Sequence, residues 1–473
     1  MARRDRQQKP RRRSLRRVAF HWVPVLLVLV LLGGAAAAYH YDLGTRWFGA
    51  PADDTSSPPV PGLTLPPVPT PRAVARPAPS GRPSPSAVRR TLGPALDDPD
   101  LADLRAVVAG LSGPPVLDDG RGASMPASTL KLLTATAALD VLGPGHTFVT
   151  TVVADRRRSL TLVGGGDPYL ASKRPARGTG PRDASLQALA AQTARALKGR
   201  GVRSVSLAYD ASLFSGPTVS PAWRPSYVPD GEVSPIMALW ADRGVAPDGS
   251  RETDPAASAA EQFAAFLRAD GIDITGKLAA RTAPSSAREV AHVTSLPLGD
   301  IVERVLQVSD NDGAEVLGHQ TGLAVNGHGS FAGGAAAVRE TLSGLGIDLQ
   351  GAQIYDGSGL SRHDRVRAET LVDVLQLASA GDRPELRSVV TGLPVAAYDG
   401  SLAYRFVHTP GRGWVRAKTG TLTGTSALAG LVTDARGRVL VFAFVSNHIP
   451  PSATDDARDA LDDLAATLAR CPC

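Results

Sequence analysis

The sequence predicts an α/β fold of the mixed, α+β kind, with helices early, an antiparallel sheet late and one helix closing the chain. Three observations predict it. Ala427–Val432 and Val439–Val445 are apolar strand-like runs joined by the turn-rich Thr433–Arg438, so they read as a hairpin, and Trp414–Lys418 reads as a further strand. Leu130, Leu133, Ala137 and Leu142 recur near helical spacing, which marks Thr129–Leu142 as a helix that Gly143 stops. Ala453–Leu468 follows Pro450-Pro451, has Ser452 as its cap and reads as the closing helix. Between them, Leu186–Leu197, Ala257–Leu267 and Leu298–Val308 read as helices and Val205–Tyr209 as a strand.

The chain has 473 residues, 43% hydrophobic and 20% charged, the composition of ordinary globular domains rather than of a disordered or fibrous chain. Its net charge of +6 sits in the tail: residues 1–17 hold nine Lys/Arg and one Asp, so the remainder is slightly acidic and no nucleic-acid partner is predicted. Only six of the 51 basic residues are lysines. The two cysteines, Cys471 and Cys473, exclude a disulfide scaffold and a cysteine-based zinc cage. They are inert, a local bridge or an intermolecular link.

Val18–Ala38 is an apolar run of 21 residues in which His21 is the only strongly polar side chain. At helical rise it spans the ~30 Å hydrocarbon core. The positive flank predicts residues 1–17 in the cytoplasm, 18–38 as a single-pass membrane anchor and the bulk exported. The small residues Ala35–Ala38 keep open a cleaved signal peptide and a secreted product. Residues 39–95 read as a Pro-rich extracytoplasmic linker: Pro51–Pro94 carries 13 prolines in 44 residues and favours polyproline II. The folded part is expected to start near Leu96.

Three short motifs carry chemistry. In Ser128-Thr129-Leu130-Lys131, positions i and i+3 share a helix face, so the Lys131 amine can meet the Ser128 hydroxyl. A serine becomes nucleophilic when a base takes its proton, and a lysine serves as that base when burial lowers its pKa. In Ser309-Asp310-Asn311 a second hydroxyl can relay a proton and an amide can hold a peptide backbone. In Lys418-Thr419-Gly420-Thr421 a cation and hydroxyls can bind a carboxylate, while Gly420 lets a substrate lie close to the backbone. Each motif alone reads equally as a cap, a turn or a strand end. Together they take two of the six lysines and follow the order of the serine penicillin-recognising enzymes. No His-Glu-x-x-His or Gly-x-Ser-x-Gly pattern competes, and neither metal nor cofactor is called for. Gly164-Gly-Gly-Asp167 lacks the Gly-Lys-Ser/Thr of a phosphate loop and reads as a tight turn.

Over about Leu96–Leu468 the chain resembles the D-alanyl-D-alanine carboxypeptidase/endopeptidase family of the penicillin-binding protein 4 type. The resemblance is carried by Pro126-Ala-Ser-Thr-Leu-Lys131, Gly164-Gly-Gly-Asp-Pro168, Asp210-Ala-Ser-Leu-Phe-Ser-Gly216, Ser234-Pro-Ile236, Ser309-Asp-Asn311 with Ala314-Glu315, Asp356-Gly-Ser-Gly-Leu-Ser-Arg362 and Lys418-Thr-Gly-Thr-Leu422. It implies a transpeptidase/β-lactamase-like catalytic domain at 96–150 and 293–473, an antiparallel sheet flanked by helices, with an inserted domain at 151–292. Ala106–Ser124 implies a shortened hairpin before the nucleophile. The implied substrates are peptidoglycan stem peptides ending in D-Ala-D-Ala, cut through an acyl-enzyme that β-lactams also form, with endopeptidase action on cross-links as a further possibility. Ser128 is then the nucleophile, Lys131 the general base and Ser309 the proton relay. Asn311 binds the acyl side, and Lys418, Thr419 and Thr421 hold the terminal carboxylate. The backbone N–H groups of Ser128 and Thr421 form the oxyanion hole, and Ser358 and Arg362 touch substrate from a bordering loop. The alternatives are a β-lactamase or a catalytically silent muropeptide or penicillin sensor.

Overall fold

A computed structural model of the chain describes residue 79, residues 81–174 and residues 184–473. The predicted tail, the membrane segment and most of the linker lie outside the described residues. Residues Pro77–Cys473 form one compact unit.

The linker expectation needs correction at its C-terminal end. Helix α1, Pro85–Leu96, lies inside the stretch read as linker except for its last residue. The Ser84 hydroxyl accepts the Ala87 N–H, Pro85 occupies the first turn, and Val88 and Leu92, one turn apart, are both buried. Proline at a helix start loses no hydrogen bond and brings a helical φ, so the prolines of this segment are start signals as well as breakers.

Strand β1 is Leu104–Gly110 and β2 is Leu117–Asp119. The first hairpin is short on one side only: β2 pairs three residues of β1, whereas β1 pairs β10 (Val439–Asn447) along its whole length. A 3-10 turn, Ala127–Leu130, then runs into helix α2, Lys131–Leu142. Every α2 residue from Lys131 to Leu139 is buried. A helix apolar on all sides belongs in a protein centre, and this one takes Lys131 there with it.

The next segment builds a second sheet: β3 (Val149–Arg156), β4 (Ser159–Val163), α3 (Leu186–Gly199), β5 (Ser204–Asp210), α4 (Pro255–Ala269), β6 (Asp273–Thr275) and β7 (Arg288–Thr294). The strand order is β6-β5-β4-β3-β7, with β4–β5 and β5–β6 parallel and the other pairs antiparallel. Its core includes Leu160, Leu162, Leu189, Phe263 and Leu267. This second sheet, built between Val149 and Thr294, occupies the stretch expected as an inserted domain at 151–292.

Helices α5 (Leu298–Gln307), α6 (Asn311–Asn326), α7 (Phe331–Gly344), α8 (Ala368–Ser379) and α9 (Arg387–Thr391) return the chain to the first sheet. Strands β8 (Val415–Leu422), β9 (Thr425–Thr433) and β10 complete it in the order β2-β1-β10-β9-β8. The Asp434 side chain accepts the Arg436 and Arg438 N–H groups and closes the β9–β10 turn. Helix α10, Thr454–Arg470, starts without a side-chain cap; a 3-10 turn, Pro451–Ala453, takes up Ser452, and Asp455 and Asp456 in the first turn oppose the helix dipole instead.

One face of the first sheet packs with α2, α5, α6 and α8 around Leu133, Val302, Leu317 and Leu371. The other packs with α1 and α10 around Val88, Phe442, Phe444 and Leu464. A third, aromatic group joins the inserted segment to the catalytic helices: Trp223, Tyr227 and Trp240 meet Val316, Phe331 and Leu360. Cys471 and Cys473 are both buried and form a disulfide with each other, the local bridge among the alternatives.

Candidate active site

Ser128 lies in the 3-10 turn and Lys131 at its end. Three residues per turn place i directly beneath i+3, so the two side chains align more closely than on an α-helix. Lys131 Nζ is 2.9 Å from Ser128 Oγ, 2.7 Å from Asn311 Oδ1 and 2.8 Å from the Ser358 carbonyl. The last two groups can only accept. They take two N–H bonds of the amine and leave its third position, a lone pair when Lys131 is neutral, facing the serine hydroxyl. Burial lowers the Lys131 pKa to about 8, against the opposing pull of Asp356, Glu315, Asp310 and Asp312.

Ser309 stands just before α6 with a left-handed backbone, φ 59°. It accepts from Lys418 Nζ at 2.8 Å. Lys418 is fully buried, and its amine also donates to the Thr419 carbonyl at 2.8 Å. Burial pushes its pKa well down, and Lys131 and Arg405 push the same way. A cleft of about 380 Å³ is lined by Ser128, Ser309, Asn311, Thr419 and Thr421, with Arg224, Tyr227 and Glu232 from the inserted domain opposite. Thr419 and Thr421 therefore face the cleft, while Lys418 stands behind them.

Strand β8 is the sheet edge. Residues 394–396 cover its outer side as far as Ala417, whose N–H donates to the Pro394 carbonyl. From Lys418 to Leu422 no strand among the described residues pairs that side. Gly420 acts differently from the expectation. A Cβ there would stand 2.7 Å from the Pro126 carbonyl and 3.3 Å from the Ala127 Cβ. The missing side chain lets the nucleophile turn, rather than only a substrate, press against β8.

Two expected substrate contacts sit elsewhere. The Ser358 side chain is fully buried, and the residue acts through its carbonyl on Lys131. Arg362 is half-buried and absent from the cleft lining; its charge reaches the Tyr227 phenol, whose pKa burial raises and Arg224 and Arg362 hold down. Glu315 had no role assigned from sequence. Its carboxyl accepts the Gly357 and Ser358 N–H groups at 2.9 and 2.8 Å, and burial and Asp356 raise its pKa. Asp356 accepts from Gly359 N–H, Ser361 N–H and the Trp223 indole, which folds the loop around Ser358. Arg224, Tyr227 and Glu232 left no sequence signal, because they reach the cleft only through the inserted domain's packing.

A serine paired to a buried lysine at the open edge of an antiparallel sheet marks the penicillin-recognising serine peptidases as a class. The chain belongs, within that class, to the D-Ala-D-Ala carboxypeptidase 3 (S13) family, whose model matches residues 89–252 and 246–468. It is a serine-type D-alanyl-D-alanine carboxypeptidase, of the penicillin-binding protein 4 type. A carboxypeptidase of Mycobacterium tuberculosis is 37% identical over 83% of this chain and 85% of its own. The carboxypeptidase DacB of Mycolicibacterium smegmatis is 35% identical over 95% of this chain and 96% of its own. In fold, the crystal structure of penicillin-binding protein 4 from Haemophilus influenzae aligns with a TM-score of 0.65 at 23% identity, covering 80% of this chain and 99% of that one.

Proposed function

We propose that this carboxypeptidase cleaves the terminal D-alanine from peptidoglycan stem peptides through an acyl-enzyme on Ser128. One observation carries the reading: the Lys131 amine lies 2.9 Å from Ser128 Oγ, with its other contacts spent on two pure acceptors. Lys131 takes the hydroxyl proton as Ser128 Oγ bonds to the penultimate carbonyl carbon. The C–N bond then breaks, and the proton reaches the departing amine through Ser309, which Lys418 holds. Thr419 and Thr421 hold the terminal carboxylate, with the Lys418 charge behind them and Gly420 keeping the strand close. Asn311 borders the acyl side. The backbone N–H groups of Ser128 and Thr421 stabilise the oxyanion. Water releases the acyl group and restores Ser128.

The same geometry accepts a β-lactam, whose ring carbonyl and carboxylate stand in for the scissile carbonyl and terminal carboxylate. A structure of the Haemophilus influenzae relative is complexed with a β-lactam, which supports this extension. Cleavage of cross-links, the endopeptidase action, would place a longer leaving group in the same cleft. The test is mass spectrometry of the penicillin-treated full chain. A penicilloyl adduct on Ser128, lost in Lys131→Ala, is the expected result; an adduct on another residue overturns the assignment.

Membrane attachment is the second part of the proposal. Val18–Ala38 lies outside the described residues, and among the described residues no helix is long and apolar enough to cross a membrane. The support for anchoring is the 21-residue apolar run behind nine cations, a pattern that would put the catalytic unit on the extracytoplasmic side. Fractionation tests it: the full chain is expected in the membrane pellet until detergent is added, and recovery from the medium, shortened at its N-terminus, overturns anchoring in favour of secretion.

A further inference from the structure

Asn311 has two polar ends and they face different elements. Its Oδ1 accepts from Lys131 Nζ at 2.7 Å, and its Nδ2 donates to the Glu232 carbonyl at 2.9 Å. Turned over, the amide would set a donor against the Lys131 amine and an acceptor against a carbonyl. The Glu232 carbonyl therefore selects the orientation that holds Lys131.

Glu232 itself is exposed, yet its neighbours on both sides are fastened. Arg251 donates to the Gly231 carbonyl through Nε at 3.1 Å and Nη2 at 2.6 Å. Its Nη1 reaches the Ser234 hydroxyl and Asp312 Oδ2, both at 3.1 Å. Asp312 Oδ1 accepts the Ser234 N–H at 2.7 Å. The Ser234 hydroxyl donates to the Arg243 carbonyl at 2.6 Å, and Arg243 Nη1 pairs with Asp310 Oδ2 at 3.2 Å. Asp242 and Arg243 are two consecutive non-glycine residues in the left-handed region, φ 50° and 58°. Backbone in that state persists where its surroundings over-determine it. The pairs thus grip Asp310 and Asp312, the residues on either side of Asn311 in sequence.

We infer that Arg251 and Asp312 are positioning residues for the acylation of Ser128: their pair fixes Gly231–Ser234, whose Glu232 carbonyl sets the Asn311 amide that holds the Lys131 amine against the serine. The inference rests on the assignment of Lys131 as general base. Neither residue lines the cleft, and both act through Asn311.

The test is a double-mutant cycle on the full chain, read as the second-order rate of acylation by a fluorescent penicillin. Arg251→Ala is expected to slow acylation ~10–100-fold, because sub-ångström misplacement of a reacting group costs on that scale. With a D-Ala-D-Ala peptide, the fall in kcat exceeds the rise in KM, since the base is misplaced while Thr419 and Thr421 still face the cleft. Arg251→Lys restores part of the rate. In an Asn311→Ala background, Arg251→Ala changes the rate by less than about twofold, because the path it acts through is gone. Full additivity, or a lowered melting temperature with an unchanged rate, overturns the inference. If Arg251→Ala does not fold, Asp312→Asn, which keeps an acceptor for the Ser234 N–H, is judged by the same cycle. An Asn311→Ala enzyme that acylates at the wild-type rate removes the Asn311 step and the inference with it. A Lys131→Ala enzyme that still acylates overturns the base assignment itself.

Discussion

Glu315 and Lys131 grip the two backbone groups of one residue. Glu315 accepts the Ser358 N–H at 2.8 Å, and Lys131 donates to the Ser358 carbonyl at 2.8 Å. The base is thus anchored to a loop whose fold depends on a buried acid, and that acid's charge holds part of the proton affinity that burial removes.

The first prediction concerns pH. Lys131 works as a base when neutral, and burial sets its pKa to about 8. The acylation rate should rise close to tenfold per pH unit up to about pH 8 and then level off. Stopped-flow acylation from about pH 6 to 9 measures it; a flat profile over that range contradicts a lysine base.

Gly420→Ala should slow acylation more than it unfolds the protein. The new methyl meets the Pro126 carbonyl and Ala127 Cβ and pushes the nucleophile turn off β8. Overpacking of this kind costs about 1–3 kcal/mol of stability. A melting curve and a penicillin-acylation rate on the same sample separate the two effects, and an unchanged rate would show that the turn tolerates the methyl.

A chain begun at residue 96 should be less stable than one begun at residue 79. It loses Val88 and Leu92, both fully buried against the α10 side of the sheet. Removing buried side chains of this size costs roughly 2–5 kcal/mol each. Denaturant midpoints of the two chains decide the matter; equal midpoints would mean that α1 adds nothing.

Asp312 should make the fold less stable as pH rises through the weakly acidic range. Burial first, and Asp310 second, push its pKa up to about 6, against opposing pulls from Arg251 and Arg243. Between about pH 4 and 6 the native state keeps a proton that the unfolded chain has released, so stability falls with rising pH there. Asp312→Asn should flatten that part of the melting-temperature profile, and an unaltered slope would assign the effect to other groups.

The reactive residues were legible because their chemistry depends on spacing a few residues long. Ser128 and Lys131 need only one turn, and Thr419 and Thr421 alternate along one strand. Lys418 was legible as a motif member, but its depth was not, since its side chain meets Ser309, far away in sequence, only in the folded protein. Ser358 was placed in the right loop with the wrong end foremost: its carbonyl works while its hydroxyl is buried. Helix α1 was hidden by its own prolines. Arg224, Tyr227 and Glu232 were invisible, because a loop residue becomes a cleft wall only through long-range packing such as that of Trp223 and Tyr227 on Phe331 and Leu360. Glu315 entered the sequence reading only within a stretch that carries the resemblance, and only the tertiary fold shows that it is enclosed.

The last residue also closes the first sheet's outer layer. The Cys473 carbonyl accepts from the Ser84 N–H at 3.1 Å and from Arg438 Nη1 at 2.7 Å, beside the buried Cys471–Cys473 bridge. Residues 84 and 473 thus meet directly. A circularly permuted enzyme that joins them through a short linker, with new termini in an exposed loop, keeps every strand pairing of both sheets.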